Sequence, residues 1–234
     1  MNFLRKLPLF LVVALIMGFG FLAAISIPLS SVEVKATEAE TFVGRAEAPV
    51  TLIEYGSLTC HHCAVFQNDV YPAIKTNYIN TGKVRYIFRS LPTPPASLSV
   101  GLQVIADCAG PQRYAVIDAY FGQQDQLMAS ARQAGGALDL ALSIANRASG
   151  LSAATARQCI ADQSRAQAIF DIAQAGTAQF ALDHTPTLII NGEKFEVAGN
   201  GEYTVANLSA ALDAAYRIRV TQTTTKTKPR QKKK

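Results

Sequence analysis

Val50-Thr51-Leu52-Ile53-Glu54-Tyr55-Gly56-Ser57-Leu58-Thr59-Cys60-His61-His62-Cys63 is the stretch on which the fold turns. Residues 50–55 read as a buried strand that only Glu54 interrupts. Gly56-Ser57-Leu58-Thr59 forms the turn out of it, and Cys60 opens a helix with Thr59 as the expected N-cap. Free N–H groups and the macrodipole at a helix start favour negative charge. Cys60 is therefore expected to ionise more readily than a free thiol. Cys63, one turn further along, is within disulfide reach and more buried. Cys60 is read as the attacking sulfur and Cys63 as the resolving one.

Other uses of the pair fit less well. A zinc site wants a second, closely spaced ligand pair, and Cys108 and Cys159 are far apart. Haem attachment needs His directly after the second Cys, where Ala64 stands. Four consecutive ligands Cys60-His61-His62-Cys63 cannot all converge from one helical turn. A structural disulfide remains the alternative to redox chemistry.

Outward from this centre, Pro72 kinks or divides the helix and Lys83 to Arg89 reads as the next strand. Strand, helix, strand is the unit that gives parallel neighbours through a right-handed crossover. From Ala96 to Leu182 the chain is rich in Ala and Gln, with breaks at Gly110-Pro111, Gly135-Gly136 and Gly150 that suggest four or five helices. Thr187 to Ile190, the turn Asn191-Gly192, and Lys194 to Val197 give a clear hairpin signal. A last amphipathic helix covers Val205 to Arg217, with Leu208, Leu212 and Ala215 on one face. No internal repeat is present. The expected architecture is α/β: a thioredoxin fold with a helical domain, about 96–182, inserted between its βαβ and ββα halves.

The ends differ from the middle. Arg5 and Lys6 precede an almost unbroken apolar run, Leu7 to Leu29, followed by a polar linker, 30–41. A run this long is either an uncleaved membrane anchor or a signal peptide, with Val34-Lys35-Ala36 offering small residues for cleavage. Either way the positive residues stay cytoplasmic and the domain, 42–220, is expected outside the cytoplasm. Residues 221–234 are a Thr/Lys tail expected to be disordered. The tail holds six positive charges and no acid, so the formal +5 of the chain becomes −1 without it. The domain has no basic surplus for phosphates, and no nucleic-acid partner is expected. The tail is a solvated terminus or a contact with anionic lipid. An apolar fraction of 49% with 17% charged residues is that of a globular chain.

Residues 48–63, the strand with Phe88-Arg89, and His184-Thr185-Pro186-Thr187 together resemble the DsbA-like thiol:disulfide oxidoreductases, over about 42–217. The resemblance implies a periplasmic donor of disulfides to exported proteins with reduced cysteines, kept oxidised by a membrane partner of the DsbB type, with no metal or other cofactor. It implies that His62 steadies the Cys60 thiolate, while His61 stands where many relatives have Pro. It implies that Glu54 is a buried acid moving the proton of the second cysteine. Thr185-Pro186 resembles the loop facing the cysteine pair, with a cis peptide and a backbone that pairs with an incoming peptide. Many strong oxidases have Val before this Pro, so Thr185 leaves a reductase or isomerase open, and a copper-binding module is a third reading. Cys108 and Cys159 resemble a structural disulfide stapling two helices of the insertion; two buried thiols are the alternative.

Overall fold

Strand β1 (Val50–Gly56) pairs in parallel with β2 (Val84–Ser90) and antiparallel with β3 (Thr187–Ile190). Strand β4 (Glu193–Phe195) pairs antiparallel with β3, giving the order β2-β1-β3-β4. The computed structural model describes residues 40–133 and 136–227. The apolar run Leu7–Leu29, the linker before Glu40 and the tail beyond Thr227 lie outside the described residues. Among the described residues no helix is long and apolar enough to cross a membrane.

Alternation along the strands explains why β1 is almost continuously apolar. Leu52, Tyr86, Phe88, Leu188 and Ile190 pack into the larger core, while Ile53, Tyr55, Ile87 and Ile189 pack into a second cluster with Leu182. Glu54 shares the face of Leu52 and sits in register between Phe88 and Leu188. It is fully buried, so the one charged residue of the strand lies inside the main core.

The first helical run comprises α1 (His61–Val65), a π-helical turn (Phe66–Val70), α2 (Tyr71–Ile74) and a second π-helical turn (Lys75–Ile79). Pro72 enters the first turn of α2, and the Tyr71 N–H reaches back five residues to the Phe66 carbonyl. The widened turn takes up the bond that a Pro nitrogen cannot make. Cys60, not Thr59, is the N-cap of α1, with φ −87° and ψ 121°. Thr59 turns its hydroxyl instead to the Thr93 carbonyl at 3.1 Å.

The insertion holds α3 (Ala96–Cys108), α4 (Arg113–Gly122), α5 (Gln124–Ser130), α6 (Gly136–Ser149), α7 (Ala153–Ala161) and α8 (Gln163–Phe180). That is six helices among the described residues, not four or five. The unexpected boundaries are Gln123 and Asp162; at the latter the carboxylate accepts from the Ser164 N–H at 3.0 Å and caps α8. A disulfide joins Cys108 to Cys159 across α3 and α7, with the Cα atoms 6.4 Å apart, beside Val100, Val104 and Ile169.

Asn191 (φ 52°) and Gly192 (φ 90°) form the two-residue hairpin turn, both in the left-handed region that this turn requires. Helix α9 (Val205–Thr227) buries Leu208 and Leu212 and packs Ala215 against the core. It runs past Arg217, so residues 221–227 are helical where disorder was expected; no Gly or Pro stops it before Pro229. Ordered contacts also begin before residue 42. The Glu40 carboxylate accepts from Arg89 at 2.7 and 2.9 Å, and Arg89 donates to the Tyr55 hydroxyl at 2.8 Å.

Helix α8 lies against β1 through Gly176, where a Cβ would clash with the Tyr55 ring. Gly176→Ala is therefore expected to destabilise by about 1–3 kcal/mol, the usual cost of overpacking. Gly101 in α3 has open space around it, so Gly101→Ala should be neutral or stabilise by up to about 1 kcal/mol. Urea unfolding of the two variants checks the contrast.

Candidate active site

As the N-cap of α1, Cys60 places its sulfur before the free N–H groups of His62 and Cys63, although neither closes to a full capping bond. The thiol is half-buried and lies 3.5 Å from the Thr185 carbonyl. Its pKa is lowered to about 5. The largest cause is a hydrogen bond from Cys63; burial opposes it, and the Thr185 side chain and the N–H groups of Cys63 and His62 add to the lowering. Thr185 thus faces the sulfur with two groups of opposite effect. Its carbonyl accepts from the thiol, and its side chain stabilises the thiolate.

Cys63 is fully buried, and its pKa is pushed well above the ordinary thiol range. Burial is the largest cause, followed by the bond to Cys60 and the charges of Glu54 and Cys60, against a 3.4 Å contact from the Ser57 N–H. The two sulfurs are chemically unlike: one is half-exposed and anionic at neutral pH, the other buried and protonated.

Glu54 lies beneath the helix on β1. Burial raises its pKa to about 8, against hydrogen bonds from Tyr86 (2.7 Å) and Gln67 (2.5 Å), while the Cys60 charge adds to the rise. It is thus a largely neutral acid at pH 7. The expectation of an acid under the helix has this geometry; its two donors, Gln67 and Tyr86, were missed. Gln67 lies four residues past Cys63, one turn on, and Tyr86 lies opposite Leu52, on the same face as Glu54. Both signals are present in the sequence, but the second needs the strand register.

His61 and His62 are exposed, their rings 5.9 Å apart. His62 reaches the Cys60 sulfur through its backbone N–H. The Thr185–Pro186 peptide is cis, and Pro186 is buried. A groove of about 680 Å³ runs beside this loop, between His61, His62 and Phe66 on one side and His184, Phe195 and Tyr203 on the other. Phe195 and Tyr203 stack with centroids 5.9 Å apart. Among the described residues no three His, Cys, Asp or Glu side chains are arranged to hold a metal ion.

The insertion reaches the site through one side chain that sequence reasoning did not single out. Buried Gln124 donates to the carbonyls of Leu58 and Cys60, both at 3.0 Å, and so fixes the turn that presents Cys60. Behind the same turn, the Ser57 hydroxyl contacts those of Ser99 (2.8 Å), Thr93 (2.8 Å) and Thr59 (3.1 Å). Cys108 and Cys159 belong to the helical insertion and take no part in this constellation.

The thioredoxin family model matches residues 36–214. A Rickettsia bellii protein whose name proposes a protein-disulfide oxidoreductase is 24% identical over 183 residues, covering 77% of this chain and 66% of the relative. A Rickettsia typhi protein of the same naming is 25% identical over 191 residues, covering 80% and 65%. The chain therefore spans just under two thirds of the length of these relatives. Among solved structures, alpha-DsbA1 of Wolbachia pipientis superposes with a TM-score of 0.69 at 24% identity, covering 81% of this chain and 96% of the other.

Proposed function

The chain belongs to the thioredoxin family, with the fold of its DsbA-like members, and we propose that it is an exported thiol:disulfide oxidoreductase that donates a disulfide to exported proteins. The observation that carries this reading is the chemical inequality of Cys60 and Cys63 described above.

The reaction starts from the Cys60–Cys63 disulfide. A substrate thiolate attacks the Cys60 sulfur, the S–S bond breaks, and Cys63 leaves with the electron pair in a mixed disulfide intermediate. The buried Cys63 sulfur cannot stay anionic, so it takes a proton from Glu54, a largely neutral acid at pH 7 within electrostatic reach of it. A second substrate thiolate then attacks the substrate sulfur and expels Cys60 as a thiolate, a good leaving group at a pKa of about 5. The substrate dithiol has lost two electrons and the enzyme disulfide has gained them. A membrane reoxidase of the DsbB type would withdraw them. Arg5 and Lys6 ahead of the apolar run support a domain held outside the cytoplasm, anchored or released. The groove beside Pro186 suits an extended substrate segment pairing with the Thr185 backbone. The Cys108–Cys159 disulfide serves as a structural staple of the insertion.

A reductase or isomerase on the same fold is the second reading, favoured by Thr185 where many strong oxidases carry Val. Thermal unfolding of both redox forms separates the two. A thiolate exists only after reduction, and its folded pKa of about 5 lies below the ordinary thiol value of 9.0. That difference contributes stability fully present above the unfolded value and lost as pH falls through about 5. Because Cys60 is half-exposed, screening reduces the contribution at pH 7 to about 1–2 kcal/mol. The reduced form should melt a few degrees higher at pH 7, with the advantage shrinking by pH 4. An oxidised form that melts higher at pH 7, with no change of the gap in acid, would overturn the oxidase reading in favour of the second.

A further inference from the structure

The hydrogen bonds on Glu54 are lopsided. Gln67 Nε2 donates to Oε2 at 2.5 Å, and the Tyr86 hydroxyl donates to the same oxygen at 2.7 Å. Gln67 Nε2 gives its other hydrogen to the Tyr86 oxygen at 2.6 Å, which leaves the phenol hydrogen directed at Glu54. Oε1 is buried and has no hydrogen-bond partner among the described residues. It lies against Gly56, where a Cβ would come within 2.7 Å of it. An oxygen that accepts from two donors is a poor place for a further proton, because neither neighbour would then accept it. The bare oxygen is the one that titrates.

We propose that Gln67 and Tyr86 are positioning residues that confine the transferable proton of Glu54 to Oε1 and set the pH at which Glu54 ceases to supply it to Cys63. This rests on the reading above in which Glu54 donates that proton. The titratable groups facing Glu54 are Tyr86 from β2, Tyr71 from α2, Tyr203 from the segment before α9, and Cys60 and Cys63 at the start of α1. The three tyrosines are neutral at pH 7, with burial raising them further above their ordinary range, so only a Cys60 thiolate adds charge, and in the oxidised enzyme it is gone. In that form the two donors are the main force opposing burial. Removing either one takes a charge-assisted hydrogen bond from the carboxylate and favours the neutral acid further.

The experiment uses the oxidised protein and two readouts. One is the carboxyl titration of Glu54 by 13C NMR. The other is the rate at which dithiothreitol reduces the Cys60–Cys63 disulfide, normalised to attacking thiolate, as a function of pH. The unaltered protein should lose rate above a basic limb that coincides with the carboxyl titration. Tyr86→Phe and Gln67→Met should each move limb and titration upward together by about one pH unit or more. Glu54→Gln should lower the rate and abolish the limb. If it leaves rate and limb unchanged, Glu54 is not the proton donor and the mechanism above fails. If Glu54→Gln abolishes the limb while Tyr86→Phe and Gln67→Met leave limb and titration in place, the positioning role is overturned and the mechanism stands. Should one donor variant fail to fold, the other decides with the same two readouts.

Discussion

Cys63→Ser protein, mixed with an unfolded substrate that carries disulfides, is expected to accumulate mixed disulfides through Cys60, whereas Cys60→Ser should trap none. The Cys60 thiolate attacks a substrate disulfide and one substrate sulfur leaves as a thiolate; without Cys63 nothing resolves the new bond. Exchange activity should fall to the uncatalysed level in both variants, so trapping rather than turnover distinguishes them. The buried Cys63 sulfur has no approach for a substrate, since it lies at 0% exposure behind Cys60. Serine is the right replacement at 63, because its hydroxyl can still donate to Cys60, and that donation is the largest cause of the lowered Cys60 pKa. Cys63→Ala removes the donor and should raise the pH at which Cys60 is alkylated by iodoacetamide, from a midpoint near 5 in the reduced unaltered protein. Non-reducing electrophoresis with peptide mapping reads the first result, and alkylation rate against pH the second. Equal trapping by the two single-serine variants would reverse the roles of the cysteines.

The part of this site that depends on local sequence was legible. A β-rich run, a four-residue turn and a cysteine at a helix start are contiguous, and the N–H groups that stabilise Cys60 come from its own first turn. The hairpin was legible for the same reason, since Asn191-Gly192 carries its turn type in two residues. What depends on distant packing was not. Gln124 reaches the Leu58 and Cys60 carbonyls from 66 and 64 residues away, and nothing in a stretch rich in Ala and Gln separates it from its exposed neighbours. The donors to Glu54 required the register of β1 against β2, which places Tyr86 opposite Leu52. Thr59 was mistaken for the N-cap because threonine caps helices by type, and only the backbone at Cys60 shows which residue stands half in the helix. The helix count failed where boundaries lack Gly-Pro punctuation, as at Asp162, whose side chain ends one helix and starts the next. The length of α9 failed for the opposite reason: Thr and Lys were read as disorder, although nothing before Pro229 breaks a helix already packed on the core through Leu208 and Leu212.

Glu54→Gln is expected to stabilise the protein at neutral pH while impairing the reaction. The carboxyl has an ordinary value of 4.5 and a folded value of about 8, with burial the largest cause. A raised folded pKa means that the group's contribution is fully present below 4.5, where it is neutral in both states, and is lost as pH rises through about 8. At pH 7 the unfolded carboxyl is ionised and the folded one mostly is not, which by linkage costs about 2–4 kcal/mol. Glutamine is uncharged at every pH and accepts from Gln67 and Tyr86 as the carboxylate does, so the variant escapes that cost. Its added amide hydrogens meet the bare position of Oε1, and that unmet donor cancels part of the gain. Urea unfolding from pH 4 to 8 should show Glu54→Gln equal to or slightly less stable than the unaltered protein in acid, and a difference that moves in its favour as pH rises. A gap that does not change with pH would mean that Glu54 is not a buried acid titrating near neutrality, and would remove its claim on the Cys63 proton. If the gap opens as expected while disulfide exchange slows, the acid is kept at the expense of stability because the buried Cys63 sulfur has to receive its proton from within the core, where solvent does not reach.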